Sequence, residues 1–171
     1  FYARTTINQE TLNKIIALSP ESQKIENIHY LAQEADRLGK KKESALAWMF
    51  YLNHSKQNKD ALTAQIQIMK LKRDTGDFNG AIQLFTQIQD VWKNQGCGET
   101  CDSLQTEIRN WIIHWNREEK KTQTPQIITA YSIYSDLFPK DEEMLLLGAN
   151  AAQERKQYKI AYDFFRQAAT V

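Results

Sequence analysis

The sequence predicts an all-helical protein of about nine helices, and three observations lead to that class. Apolar residues recur at spacings of three and four along most of the chain, which is the period of an α-helix. No segment of useful length alternates with period two, as a half-buried strand would. The 171 residues include only 6 glycines and 3 prolines, too few turn residues for a fold of many short strands.

The first half of the chain contains four predicted helices. The first helix ends at Ser19-Pro20. The same dipeptide begins the second helix, because proline suits the first helical position, and the second helix ends at Gly39. The third covers about 42–54 and the fourth about 59–74. Their apolar stripes are Leu12, Ile15 and Ile16; Ile25, Ile28, Ala32, Ala35 and Leu38; Ala45, Trp48, Met49 and Leu52; and Leu62, Ile66 and Met69.

Five more helices are predicted in the second half. The fifth runs from Asp77 to about Lys93, and the sixth starts at Asp102, which has capping-box spacing with Gln105. The seventh follows Thr124-Pro125 and ends at Phe138-Pro139, the eighth is capped by Asp141, and the ninth begins near Tyr158. The four tryptophans at 48, 92, 111 and 115 lie on these apolar stripes, so we expect them in the core or between helices rather than on a carbohydrate platform.

Composition limits the classes of partner. Hydrophobic residues are 42% and charged residues 25%, as in ordinary soluble domains, and the mean hydropathy is -0.62. The net charge of +1 gives no electrostatic reason to expect nucleic acid or an anionic membrane surface as partner. The longest apolar run, from Ala45 to Leu52, is far shorter than the roughly 20 residues that span a bilayer.

Four of the helices share one template of spacings three, four and three. Its second position is always alanine, which predicts that another helix backbone crosses closely there, since a general core face would more often use Leu or Ile. The template positions are Lys42, Ala45, Met49 and Leu52; Phe78, Ala81, Phe85 and Ile88; Ile127, Ala130, Tyr134 and Leu137; and Tyr158, Ala161, Phe165 and Ala168.

This pattern resembles the tetratricopeptide repeat, a helix–turn–helix unit of about 34 residues. Gly76-Asp77-Phe78 is similar to the Gly-Asp-Tyr turn of the family, and the last unit has Lys156 in place of the turn glycine. The resemblance is best over 61–93 and 141–171 and is interrupted by an irregular insertion over 94–126. It implies a right-handed α-solenoid of stacked hairpins, with 1–171 as a single repeat domain. The alternative is a helical bundle without repeats.

The resemblance also implies a binding role, because stacked hairpins leave a concave groove that holds a peptide or a partner helix. By analogy with the family, the groove-facing residues are Ile66, Lys70, Arg73, Leu146, Asn150 and Gln153. The competing interpretation is that these are ordinary solvated surface residues.

Cys97 and Cys101 are the only cysteines, and we predict that they form a disulfide. Their three-residue spacing does not fit a redox pair, and zinc would require ligands that are not nearby in sequence. Free thiols remain the alternative. A small loop of this kind adds only about 2 kcal/mol of stability, and a disulfide would place the protein outside the reducing cytosol.

No catalytic, cofactor or metal motif is found, so we expect a non-catalytic protein with no cofactor. The preferred interpretation is a scaffold in a bacterial envelope assembly, such as secretion, pilus, export or motility machinery. The alternatives are a cytosolic chaperone for peptide tails and a helical accessory domain of a larger enzyme. Because the sequence begins at Phe1 and is still helical in pattern near Val171, we expect it to be a segment of a longer protein or a processed one.

Overall fold

The computed structural model describes residues 7–54, 58–96, 101–118 and 124–171. Within these ranges the protein is all-helical, with nine α-helices and one short 3-10 helix at Glu21–Gln23, as predicted. The predicted boundaries agree with the structure to within a few residues. The α-helices are α1 (Gln9–Leu18), α2 (Lys24–Arg37), α3 (Lys41–His54), α4 (Asn58–Asp74), α5 (Phe78–Gln95), α6 (Cys101–Glu118), α7 (Gln126–Leu137), α8 (Glu142–Glu154) and α9 (Tyr158–Ala168).

The chain divides into two compact units, Phe1–Asp77 and Phe78–Val171. Each unit has its own buried apolar residues, and all four tryptophans are buried, which confirms that they belong to the core. The prediction of one repeat domain over the whole chain stays a prediction. None of the helices in the described part of the chain is both long enough and apolar enough to cross a membrane.

Three connectors share one backbone geometry. Each has three residues, and the middle residue adopts a left-handed conformation: Gly39 with φ 68, Gly76 with φ 84 and Lys156 with φ 58. In each, the third residue donates a backbone hydrogen bond to the carbonyl five residues earlier, as in a Schellman motif. These bonds are Lys40 to Ala35 at 2.9 Å, Asp77 to Lys72 at 2.8 Å and Gln157 to Ala152 at 2.9 Å. Gly76 is therefore a turn glycine, as predicted, and Lys156 adopts the same conformation without being glycine.

The shared connectors fix the register of the helices that follow them. The small residue five positions after the left-handed residue is Ser44 in α3, Ala81 in α5 and Ala161 in α9, and all three are buried. The predicted position Ala45 is only half-buried, and Met49 is 51% exposed. In α3 the predicted template is therefore one residue too late. A shift of one residue rotates a position by about 100° around the helix, which is enough to move it from the buried face to a partly exposed one.

Unit 1 is held together by the close packing of α2 on α3. Asp36 of α2 accepts hydrogen bonds from the Ser44 hydroxyl and, at 2.9 Å, from the Trp48 indole N–H. Trp48 and Tyr51 also lie against the His29 ring, with ring centroids 5.3 Å and 5.2 Å away. One carboxylate thus satisfies both polar groups that α3 buries at this crossing, which explains why a serine is tolerated at a core position.

In unit 2, α5 and α6 pack through aromatic pairs. Phe78 stacks on Trp115 with ring centroids 5.6 Å apart, and Phe85 and Trp111 are nearly perpendicular with ring centroids 5.9 Å apart. Because the earlier residue of α5 meets the later residue of α6, the two helices run antiparallel.

The next helix, α7, runs parallel to α5. Gln126 donates to the Asn79 side chain at 2.9 Å, and Gln89 donates to Asp136 at 3.0 Å. Both bonds join residues 47 apart in the sequence, which requires the two helices to point in the same direction. Ala130 is completely buried in α7, as predicted from the template.

The last pair, α8 and α9, packs closely because α8 carries a glycine at the crossing. A Cβ at Gly148 would lie 3.2 Å from both the Phe164 ring and Tyr131 Cβ, so a larger residue there would force a neighbour to move. On α9, Ala161, Phe164 and Ala168 are buried. The predicted packing positions Tyr158 and Phe165 are instead 64% and 40% exposed, because no described helix lies against that face of α9.

Candidate functional site

The candidate site is the exposed face of α8, which carries three of the six predicted groove residues. Asp141 caps this helix by accepting from the Met144 backbone N–H at 3.2 Å, as predicted. The apolar face of α8 is buried and the opposite face is open. Leu146 is 37% exposed, and Asn150 and Gln153 are also exposed. Their spacings of four and three place these three side chains in one line along the helix.

Helix α6 lies beside α8 and runs in the same direction. The Arg109 guanidinium forms an ion pair with Glu143, at the start of α8, and its Nε lies 3.4 Å from Asp141. Further along both helices, Asn116 of α6 is close enough to lower the pKa of Tyr131, and Tyr131 in turn packs against Gly148 of α8. The step from Arg109 to Asn116 along α6 therefore corresponds to a step from Glu143 toward Gly148 along α8. Helices α6 and α8 thus contribute neighbouring side chains at the start of α8.

A buried hydrogen-bond network fixes the start of α8. The Tyr134 hydroxyl donates to Asp141 at 2.7 Å and accepts from the Gln105 amide at 3.3 Å. Burial and then the bond to the Asp141 carboxylate raise the pKa of Tyr134, because both favour the protonated phenol. This network joins α6, α7 and the cap of α8. The predicted repeat residue Tyr134 is therefore structural, because its hydroxyl links the three helices.

A second buried tyrosine supports the middle of the site. Tyr131 is almost inaccessible, and burial raises its pKa to about 12, with the Asn116 side chain and the Arg155 charge acting in the opposite direction. Its ring packs against Gly148, beneath the exposed line of α8. Tyr131 therefore supports α8 by packing beneath it.

The three predicted groove residues of α4 differ from those of α8. Ile66 is completely buried, so it belongs to the core and is not available to a partner at the surface. Arg73 is nearly buried and forms an ion pair with Asp74 at 2.7 Å, and Lys70 is half-buried. The expectation that Ile66 faces an open groove was wrong, because an apolar β-branched residue gains more free energy from burial than from contact with water.

Two features of the site were missed from the sequence. Arg109, which links α6 to α8, was not singled out, and Gln105 was considered only as part of a helix cap. Arginine and glutamine side chains are common on exposed helix surfaces. Only the position of the neighbouring helix distinguishes Arg109 and Gln105 from ordinary surface residues. Among the described residues, no group of three His, Cys, Asp or Glu side chains is placed to hold a metal ion.

The predicted disulfide cannot be placed in this site. Cys97 lies outside the described residues, and Cys101 is the first residue of α6. The pairing of Cys97 with Cys101 therefore stays a prediction.

No family model and no curated protein matches the sequence. The likeness to tetratricopeptide repeats therefore depends on the residues and geometry described above, in particular the three equivalent connectors and the parallel helix pairs of unit 2.

Proposed function

We propose that the chain is a non-catalytic scaffold of stacked helix hairpins, related to tetratricopeptide repeats, that binds a peptide or a partner helix. The observation that carries this proposal is the direction of the helices in unit 2. Parallel pairing of α5 with α7, and of α6 with α8, is the arrangement that successive stacked hairpins produce.

The proposed binding surface is formed by α8, with α6 beside it. Leu146 provides an apolar contact, while Asn150 and Gln153 provide amide groups that can bond a peptide backbone. Arg109 and Glu143 already pair with each other at one end, so the middle of the surface is where a neutral or amphipathic segment fits best.

A capture experiment with matched variants tests this role. The intact 171-residue chain is immobilised, and partners from an envelope extract are identified by mass spectrometry. The variant Leu146→Glu with Gln153→Glu should lose a specific partner. The control variant, Gln83→Glu with Gln87→Glu, adds the same charge at exposed positions of α5 and should retain that partner. If both variants retain the same partners, the α8 surface is not the binding site.

The setting we propose is a bacterial envelope assembly, and it depends on the cysteines. If Cys97 and Cys101 form a disulfide, the protein belongs to an oxidising compartment. Thiol titration of the native protein, with and without prior reduction, gives the answer. We expect no reactive thiol before reduction and two afterwards. Two reactive thiols in the unreduced protein would instead favour the cytosolic chaperone alternative.

A further inference from the structure

A line of aromatic side chains on α9 is open to solvent. It consists of Tyr158, Tyr162 and Phe165, which follow one another at spacings of four and three and therefore share one helix face. We call this line the α9 stripe. Tyr162 is 65% exposed and no described residue covers the line, whereas the adjacent face of α9, with Ala161 and Phe164, is buried. Three large aromatic residues in one exposed line are typical of an interaction surface.

The structure contains a covered counterpart of this stripe on α5. Because α5 and α9 follow connectors of identical geometry, Tyr158 is equivalent to Phe78, and Phe165 is equivalent to Phe85. On α5 these two positions are covered by Trp115 and Trp111 of the antiparallel helix α6. An equivalent occupant of α9 is thus an antiparallel helix with two large apolar side chains four residues apart.

The charge beside the two stripes differs. On α5, Asn79 lies on the side that faces α7, where its side chain accepts a hydrogen bond from Gln126. On α6, Gln105 also faces α7 and donates a hydrogen bond to the Tyr134 hydroxyl. The α9 counterparts of Asn79 and Thr86 are Lys159 and Arg166, both exposed. Within the described part of the chain, Arg166 pairs with Asp163 at 3.8 Å, and the side chain of Arg166 stays exposed. A helix on α9 would therefore benefit from acidic residues at the places that correspond to Gln105 and Asn116 of α6.

A second copy of the chain fits this surface poorly. Two α9 helices packed antiparallel about a two-fold axis present the same flank to each other. Lys159 and Arg166 of one copy would then face the same two cations of the other, which is repulsive.

We propose that the α9 stripe binds one amphipathic helix of a partner protein, antiparallel to α9, with two large apolar side chains four residues apart and acidic residues beside Lys159 and Arg166. This surface is separate from the α8 surface proposed above.

The probe for the test is a synthetic peptide with the sequence of Asp102–Glu118, the part of α6 that covers the equivalent face of α5. A second peptide carries Gln105→Glu and Asn116→Asp, which add acidic groups on the flank that would face the cations. Binding of each labelled peptide to the intact chain is measured by fluorescence anisotropy. We expect saturable binding of both, with the acidic peptide at least about threefold tighter.

Three protein variants make the result specific. Tyr158→Ser with Phe165→Ser should weaken binding of both peptides by about tenfold or more, while Ile160→Ser, an exposed apolar residue outside the stripe, should leave it unchanged. Lys159→Glu with Arg166→Glu should remove the advantage of the acidic peptide. The groove variant Leu146→Glu with Gln153→Glu should still bind, which separates this proposal from the proposed function. Thermal melting checks that each variant is folded.

Three results would overturn the proposal. One is the absence of binding of either peptide up to its solubility limit. Another is binding that persists when the stripe is removed. The third is a dimer in sedimentation experiments that disappears in the stripe variant, because a second copy would then be the occupant.

Discussion

Helices α5 and α9 have nearly the same sequence pattern, but the aromatic face is covered on α5 and exposed on α9. Both begin after a left-handed connector residue, and both carry an aromatic residue, then alanine, then phenylalanine at the same spacings. Phe85 is completely buried against Trp111, whereas Phe165 is 40% exposed. The comparison teaches that the pattern determines which residues share a helix face, while a neighbouring helix decides whether that face is buried or exposed.

The largest expected difference is between the two phenylalanines. Phe85→Ala should lower the free energy of unfolding by about 3–5 kcal/mol, because it removes a fully buried ring and leaves a cavity. Phe165→Ala should cost less than about 1 kcal/mol in the isolated chain, since much of its ring already contacts water. Urea unfolding of both variants measures the two values. Equal losses would mean that the face of α9 is covered in solution.

A pH titration distinguishes the buried interior from the exposed α9 stripe. Burial raises the pKa of Tyr131 from 10.0 to about 12, so the folded state keeps a proton that the unfolded state releases. The stability contributed by this group is complete below about pH 10 and is lost as the pH rises toward about 12, by roughly 1.4 kcal/mol per pH unit. Burial and the bond to Asp141 raise the pKa of Tyr134 as well, so the same loss continues above that range.

Unfolding free energies measured between pH 9 and 12 test this expectation. Tyr131→Phe should make the loss of stability less steep. Tyr162→Phe, at an exposed position of the stripe, is the control and should behave like the parent protein. A slope that is identical in Tyr131→Phe and the parent would contradict the assigned burial.

The register of α3 provides a smaller test. Ser44→Leu should cost about 1–3 kcal/mol, because Ser44 is fully buried against α2 and its hydroxyl bonds Asp36. Ala45→Leu, one position further along, should change stability by less than about 0.5 kcal/mol, since that site is only partly buried. Thermal or urea unfolding of the pair decides between the two registers, and a larger loss for Ala45→Leu would restore the original template.

The smallest expected effect concerns the connectors. Lys156→Gly should stabilise the protein by about 0.5–1 kcal/mol, because a left-handed conformation costs a lysine more than the entropy that glycine loses on folding. The reverse change, Gly76→Ala, should destabilise by about 1 kcal/mol for conformational reasons alone, since no atom lies within 4 Å of the added Cβ. Melting temperatures that move in the same direction for both variants would contradict the equivalence of the connectors.

Local chemistry made much of the fold predictable. The helical period located all nine described helices, and the turn glycine Gly76 and the cap Asp141 follow from backbone requirements that only a few residues meet. Ala81, Ala130 and Ala161 were correctly expected to be buried.

The wrong predictions concern contacts between helices, which the sequence of a single helix does not determine. Ala45 was predicted because alanine fills the second template position in the other three helices, and only the carboxylate of Asp36 across the crossing shows why Ser44 is the buried residue. Ile66 was placed on a surface by analogy with a repeat, although nothing in its own sequence segment distinguishes a core face from a groove face. The site on α8 was partly predictable from its exposed polar residues, but its neighbour α6 was not, because Arg109 contacts a residue 34 positions away.

The central claim is that successive hairpins of residues 78–171 stack in parallel, and spin-label distances test it most directly. In a background with both cysteines replaced by serine, label pairs are placed at Asn79 and Gln126, and at Lys93 and Asp136. We predict short distances for both pairs, and distances longer by roughly 10 Å or more for the exchanged pairs 79/136 and 93/126, since the labels then lie about three to four helical turns apart along the axis. Shorter distances in the exchanged pairs would show that α5 and α7 are antiparallel and would contradict the account.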